Sequence, residues 1–484
     1  MHFRTICRIV GLLLIIFSVT MIVPSLVSII YKEDTGIAFI KTFICAQIIG
    51  FLFWAPNFKE KNELQTREGF LIVVLFWIVL GSVGALPFLF LKYPNLSITN
   101  AFFESFSGLT TTGATILFNL DKLPQSILFY RQMLQWFGGM GIIVLALAIL
   151  PILGTGGMQL YKAEMPGPLK DNKMQPRIAE TAKILWLIYV ALTFLCALSL
   201  WFAGLPIIEA IGHSFSTVSI GGFSTHDENI GFYKNTNVEI IISIFLIISG
   251  CNYSLHFFAF SKKKINIYYK DMEFRIFFLI QITLIIISFL TLLKFSDDST
   301  FNLDLFNKVF FQVISISTTA GFTSDKISNW PTYLPILLII SSCIGSCSGS
   351  TGGGIKVIRI ILLYLHWSTE LKKIIHPNAI YSIKINDYAI SEKIIKNILC
   401  FILSYILILI ISTLILISTG IDYFSSFSSV AATLNNVGIG FGVVENNFFN
   451  LNDFSKWILI LTMLFGRLEI FTLLIILTPT FWRE

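Results

Sequence analysis

Four short stretches of the chain concentrate hydroxyl, amide and glycine residues: Ala101-FFESFSGLTTTGAT, Ala210-IGHSFSTVSIGGFS, Val309-FFQVISISTTAGFT and Ser426-FSSVAATLNNVGIG. When Gly113, Gly222, Gly321 and Gly438 share one column, each stretch begins twelve residues before its glycine. Serine stands six before it at Ser107, Ser216 and Ser315, with Ala432 in the fourth stretch. Phenylalanine stands seven before it at Phe106 and Phe215. The residues leading into the column are Thr111-Thr112-Gly113, Ile220-Gly221-Gly222, Thr318-Thr319-Ala320-Gly321 and Asn435-Asn436-Val437-Gly438. Small residues let four strands approach one axis, and glycine adopts φ > 0 at no steric cost, so successive carbonyls can turn inward. Closely spaced, uncharged carbonyl oxygens are what replaces the hydration shell of a potassium ion. The expected chemistry is therefore coordination of a dehydrated cation by main-chain oxygen.

Each stretch starts with about a dozen apolar and serine residues, too few to span the hydrocarbon core. Each ends in Thr, Ser, Gly or Asn, which are poor helix interiors. The pattern predicts a half-crossing helix that enters from one face and returns as an extended strand. Non-helical backbone at membrane depth is tolerated only inside protein or against water. The C-terminal end of each short helix, with its negative dipole, should face the centre and favour a cation. Four ordinary surface loops would not hold this register on one side.

The bulk composition supports a membrane setting. Of 484 residues, 55% are hydrophobic and 13% charged, and mean hydropathy is +0.79; soluble chains carry roughly 25% charged residues. Ten apolar runs qualify as spans: Val10–Ile30, Ile37–Trp54, Phe70–Leu91, Ser126–Leu153, Ile184–Phe202, Val238–Phe260, Phe274–Leu293, Leu334–Leu365, Ile394–Ile417 and Trp457–Leu477. The first, after Arg4 and Arg8, is too long for a signal peptide and has no small-residue cleavage site; it reads as a retained helix.

Basic residues favour cytoplasmic loops. Arg4, Arg8, Lys59, Lys61, Arg67, Lys162, Lys170, Lys173, Arg177, Lys183, Lys262, Lys263, Lys264, Lys270, Lys372, Lys373, Lys384 and Lys393 fall on one side. Asp227, Glu228, Asp297, Asp298, Asp304, Asp422 and Glu445 fall on the other. Both termini are expected in the cytoplasm. The fold class expected is an all-α integral membrane protein with ten transmembrane helices. Two leading helices (1–68) precede four pseudo-repeated helix–pore-loop–helix units (69–176, 177–270, 271–390 and 391–484) around one central pore.

The eighth run has 32 residues, about 48 Å as one helix, well beyond the core thickness. Its middle holds Gly345, Gly349, Gly352, Gly353 and Gly354. Glycine costs roughly 1 kcal/mol in a helix interior, so the run should break there, inside the cavity beneath the carbonyls, where it would obstruct passage and move aside. A Walker loop is excluded, because Ile355 separates Gly354 from Lys356 and Val357 follows. Arg467, ten residues into the last run, is a mid-membrane charge and so marks water or a partner. A structural ion pair is one reading; a guanidinium beside the pore, impeding cations when the gate is shut, is the other. A direct pair with Glu469 is awkward, since residues two apart do not share a helix face.

These residues resemble the superfamily of potassium transporters called Trk, Ktr and HKT over essentially the whole chain, and within it the TrkH-type bacterial subunits, which also carry two extra helices before the first repeat. Gly345-SCSGSTGGGIKVIRI and Gly466-RLEIFTLLIILTPTFWR resemble two further hallmarks. The resemblance implies potassium as the transported ion, because a glycine at each filter position goes with potassium selectivity, whereas a serine at the first goes with sodium permeation in some plant members. Ile220 and Asn435-Asn436 depart from a threonine-rich filter. The resemblance also implies an intramembrane gating loop at 345–354, Arg467 beside the pore, a homodimer, and a cytoplasmic nucleotide-binding regulatory subunit of the TrkA type. Docking loops are expected at Gly154–Lys183 and Ser368–Glu392.

Other classes are set aside. The six histidines are dispersed without metal-site spacing, and no Ser/His/Asp arrangement points to an enzyme. The seven cysteines read as small buried hydrophobes. Lys262–Lys264 is a topological cluster and not a nucleic-acid site, and no organic cofactor is expected. Glu104 and Glu209 either set the field at the outer mouth or serve the ends of the short helices; His213 reads as a packed, hydrogen-bonded residue. The setting expected is a bacterial plasma membrane, the inner one where there are two. The alternative reading is a sodium- or proton-coupled symporter of the same superfamily.

Overall fold

The computed structural model describes residues 1–60, 65–141, 178–295, 303–379, 381–386 and 388–483. Of the positions named above, Lys61, Lys162, Lys170, Lys173, Arg177, Asp297 and Asp298, most of the expected docking loop Gly154–Lys183 and the second half of the run Ser126–Leu153 lie outside the described residues.

The described chain is mainly helical. Six helices or helix runs are long and apolar enough to cross a membrane: Phe3–Ile30, Gly36–Asn57, Arg67–Phe90, Lys183–Phe202, Met272–Phe295 and Glu392–Ser418. Helices Phe3–Val19 and Gly36–Trp54 cross where Gly11 faces Gly50, and a Cβ on Gly11 would lie 2.7 Å from Gly50 O. Small residues at such crossings let membrane helices approach closely.

Two runs expected as continuous spans are bent instead. Val238–Phe260 divides into Thr236–Gly250 and Tyr253–Lys262 with a 91° bend. There Asn252 caps the second helix by accepting from Ser254 N at 2.8 Å, which favours a fresh start over continuation. The last run divides into Asp453–Arg467 and Phe471–Leu477 with a 116° bend. Glu469 and Ile470 between them take left-handed φ of 50° and 57°, which no α-helix continues through. The eighth run is broken as expected, into Tyr333–Ile344 and Val357–Ile375. That second helix runs past Ser368, so the expected docking loop Ser368–Glu392 starts as helix. It then holds a minimal antiparallel ladder, Lys384↔Ala389 and Ile385↔Tyr388, not anticipated in an all-α chain.

Four short helices complete the frame: Ile98–Leu109, Ile207–Val218, Leu303–Ser317 and Tyr423–Leu434. Their starts are encoded locally. Ser97 accepts from Asn100 N at 3.3 Å and Asp422 from Ser425 N at 2.9 Å, and Pro206 precedes the second helix. The Ser97 and Asp422 caps satisfy amides that a helix N-terminus leaves without partners.

Candidate ion-coordinating site

Each short helix ends in the same backbone turn. The residue two before each column glycine is left-handed: Thr111 (φ 55°), Ile220 (57°), Thr319 (73°) and Asn436 (54°). The glycines follow at φ 79°, 78°, 83° and 77° for Gly113, Gly222, Gly321 and Gly438. A β-branched residue at φ > 0 is strained, so this geometry is held by its surroundings. In all four turns the amide one before the glycine donates to the carbonyl six before it. The pairs are Thr112 N to Ser107 O (2.9 Å), Gly221 N to Ser216 O (2.7 Å), Ala320 N to Ser315 O (2.8 Å) and Val437 N to Ala432 O (2.8 Å).

The turns close into a ring. A Cβ built on Gly113 would collide with Gly221 O, one on Gly222 with Ala320 O, one on Gly321 with Val437 O, and one on Gly438 with Thr112 O. Each glycine thus abuts the preceding-residue carbonyl of the next stretch in chain order, and the fourth returns to the first. The four carbonyl oxygens and the four glycines therefore form one closed cycle, and only glycine fits beside each oxygen. The column glycines also line one cavity of about 910 Å³ that opens on the side of Asp227, Glu228, Asp325 and Glu445.

The other face of the ring is covered. The twelve residues 345–356 form a non-helical loop between Ile344 and Val357. Ser346 Oγ donates to Thr318 O at 2.9 Å, Gly353 N to Thr319 Oγ1 at 2.7 Å, and Thr351 Oγ1 to Val218 O at 3.0 Å. A Cβ on Gly353 would collide with Asn435 O. The loop thus touches the ends of the second, third and fourth short helices. Glu273 Oε1 secures it by accepting from Ser348 N (2.7 Å) and Ile358 N (3.1 Å). Gly345 and Gly354 take φ of 72° and 75°, which the tight loop requires; Gly349 and Gly352 sit against the Asn252 and Ser346 side chains.

Arg467 covers the first stretch. Its Nη1 donates to Thr111 Oγ1 and Thr351 O, both at 3.1 Å, and its Nη2 to Gly138 O and to Gly139 O at 2.5 Å. The guanidinium also lies 5.6 Å from the Trp77 ring centroid. Glu469 pairs with Arg359, whose guanidinium stacks on Phe401 at 4.1 Å.

Several residues that sequence reasoning passed over support the ring. Arg131, Gln132 and Gln135 lie on helix Gln125–Trp136 and are buried. Arg131 Nε donates to Glu104 Oε1 at 2.6 Å, and Glu104 Oε2 accepts from Ile116 N at 3.0 Å. Glu104 is fully buried, so it is not a solvated helix end. Tyr405 OH donates to Asn435 Oδ1 at 2.6 Å, and Asn436 Nδ2 to Thr112 Oγ1 at 2.9 Å. His213 is buried with Nδ1 2.9 Å from Glu209 O and Nε2 3.2 Å from Ser224 Oγ. At the outer cavity, His226 Nδ1 lies 2.5 Å from Asp121 Oδ1 and Nε2 lies 3.6 Å from Glu209 Oε2. Burial alone would lower the His226 pKa, but the two carboxylates outweigh it and the value is raised. The i, i+1, i+4 placement of three polar residues on one helix is the one signal that could have marked Arg131, Gln132 and Gln135 as a buried polar edge.

Apolar helices of spanning length and a central ring of main-chain carbonyls between an open cavity and a covering loop define a multi-pass membrane protein of the transporter class, not an enzyme. Comparison gives the family: residues 35–483 match the TrkH model, described as cation transport protein, and the chain belongs to that family. It is 62% identical over 484 residues to the Trk system potassium uptake protein TrkH of Salmonella typhimurium, covering 100% of both chains. It is 38% identical over 486 residues to the Trk system potassium uptake protein TrkG of Escherichia coli, covering 100% of this chain and 99% of that one. The crystal structure of the potassium transporter TrkH from Vibrio parahaemolyticus superposes with a TM-score of 0.91 at 53% identity, covering 100% of both chains.

Proposed function

We propose that the chain mediates potassium uptake across a bacterial plasma membrane, the ion passing through the ring of Thr112, Gly221, Ala320 and Val437 carbonyls. The observation that carries this reading is the cyclic order in which Gly113, Gly222, Gly321 and Gly438 each abut the next stretch's carbonyl. Uncharged oxygens in one closed cycle replace a hydration shell without trapping the ion, and the flanking residues Thr111, Ile220, Thr318, Thr319, Asn435 and Asn436 hold the strands. The names of the relatives, potassium uptake proteins of the Trk system, agree with this ion.

In this reading ten segments cross the bilayer, two of them leading and eight in four pore units with the boundaries given above, and both termini are cytoplasmic. The loop at Gly345, Gly349, Gly352, Gly353 and Gly354, together with Arg467, is the gate in its shut position. Support comes from their contacts, which reach the ends of all four short helices from the face opposite the open cavity. The pore subunit works as a homodimer with a TrkA-like nucleotide-binding partner on the cytoplasmic side, as the resemblance implies, and needs no organic cofactor of its own.

Ion flux in proteoliposomes tests the proposal. A potassium current that reverses at the potassium equilibrium potential, regardless of sodium or proton gradients, is the expected result. Uptake that stops when those gradients are collapsed would replace it with the symporter reading.

A further inference from the structure

At the level of the ring the four stretches differ in one respect. The carbonyl-bearing residues are Thr112, Ala320 and Val437 in three of them and Gly221 in the second. The space that a side chain fills elsewhere is taken here by a residue from another part of the chain. A Cβ on Gly221 would lie 2.5 Å from Gln135 Cδ, 2.6 Å from its Oε1 and 2.8 Å from its Nε2. The amide of Gln135 grips the backbone on both sides of Gly222: Nε2 donates to Gly221 O at 2.5 Å, and Oε1 accepts from Phe223 N at 3.1 Å. Phe223 N–H can only donate, so the amide orientation is fixed. Three residues back, Gln132 Nε2 donates to Phe223 O at 3.2 Å, and Arg131 Nη1 reaches Ser224 O at 3.2 Å. One helix face of the first unit therefore straps the second strand along its length.

We infer that Gln135 is a specificity-determining positioning residue, which fixes the Gly221 carbonyl in the ring and shares its lone pairs with the passing ion. The inference rests on the reading of the ring as the ion path. Among the described residues, Gly221 O is the ring carbonyl that a side-chain N–H engages, so the ring has one restrained and partly occupied oxygen. A site with one weakened, rigid oxygen differs in both size and field from one with four alike, and these are the two properties that separate potassium from sodium. Gln135 is fully buried, and its loss would leave Gly221 O to the ion alone and Phe223 N–H without a partner.

The test measures potassium, rubidium and sodium fluxes in proteoliposomes for Gln135→Met, which keeps the volume without the amide, for Gln135→Glu, which keeps the acceptor for Phe223 N, and for Gly221→Ala, which pushes the amide away from the opposite side. The expected result is a potassium-to-sodium ratio shifted about threefold to tenfold, the range a net hydrogen bond carries. Michaelis constants should shift with the ratio. A structural role would lower all fluxes together and leave the ratio at the parental value; that result in every variant that reaches the membrane overturns the inference, as does failure of all of them to reach it. Gly438→Ser, measured alongside, keeps the two readings apart. If it shifts the ratio and the Gln135 variants do not, only this inference falls; if it too leaves the ratio unchanged, the ring itself is not the ion path.

Discussion

Gly353 lies so close under Asn435 that no Cβ fits between its backbone and the Asn435 carbonyl. The covering loop and the fourth short helix are therefore in backbone contact. A methyl group at 353 cannot be accommodated without moving one of them. If the loop is the gate, Gly353→Ala disfavours the shut position, and basal potassium flux rises. Single-channel or flux recordings of the purified variant without any partner check this; a variant that reaches the membrane with flux at or below the parental level argues that the loop does not block the path.

Arg467→Ala removes donors to Thr111 Oγ1 and Thr351 O, and with them the positive charge beneath the ring. Cation flux should increase, and Arg467→Lys, which keeps the charge but not the fork geometry, should fall between the two. Equal flux in all three proteins excludes a blocking role.

Gly113→Ser places a Cβ against Gly221 O at a backbone φ of 79°. The ring must widen or tilt on that side. Discrimination against sodium should decline more than total conductance, read as a shift in reversal potential under mixed ions.

The Arg131–Glu104 pair is buried, with side-chain exposures of 1% and 0%. Removing one partner leaves an uncompensated charge, which costs about 3–5 kcal/mol. Glu104→Leu should therefore lower the melting temperature of the detergent-solubilised protein far more than Glu445→Gln, which alters a partly exposed loop carboxylate at the outer cavity. Similar melting curves would show the pair to be dispensable.

His226 supplies a pH dependence. Its pKa is raised above the usual value of about 6.5. A group whose folded pKa is raised contributes its stabilisation fully below the unfolded value and loses it as pH climbs through the folded value. The bridge from Asp121 to Glu209 is therefore firm in mildly acidic medium and loosens as pH rises above about 6.5. Thermal stability should decline over that window in the parent and flatten in His226→Gln.

The turns were legible in part, because a glycine at a fixed distance from a helix start repeats four times; the left-handed residue two before it was not, since Thr111, Ile220 and Thr319 are β-branched and do not favour φ > 0. The break at Gly345–Gly354 was likewise legible from its glycines. The bend at Glu469–Ile470 was not, because neither residue favours φ > 0 and only tertiary packing holds them there. Likewise, the bend after Gly250 sits in an apolar run whose period does not change. Gln135 and Arg131 were missed because their partners lie 86 and 93 residues away at Gly221 and Ser224, a distance over which no pattern of spacing carries information. Arg467 stood out as a charge in an apolar run, yet three of the four acceptors named above, on Thr351, Gly138 and Gly139, are main-chain oxygens, which sequence does not distinguish.

The ring closes through Gly438 against Thr112, and Phe448 N donates to Thr115 O at 2.8 Å across the same seam. A ribosome has therefore made nine-tenths of the polypeptide before the last quadrant exists. Until then the first three quadrants must wait in the lipid as an open crescent, its carbonyls facing an unfilled side. A message cut short ahead of that point yields a membrane-inserted product with no closed aperture, so insertion by itself cannot be taken as a sign of a finished molecule.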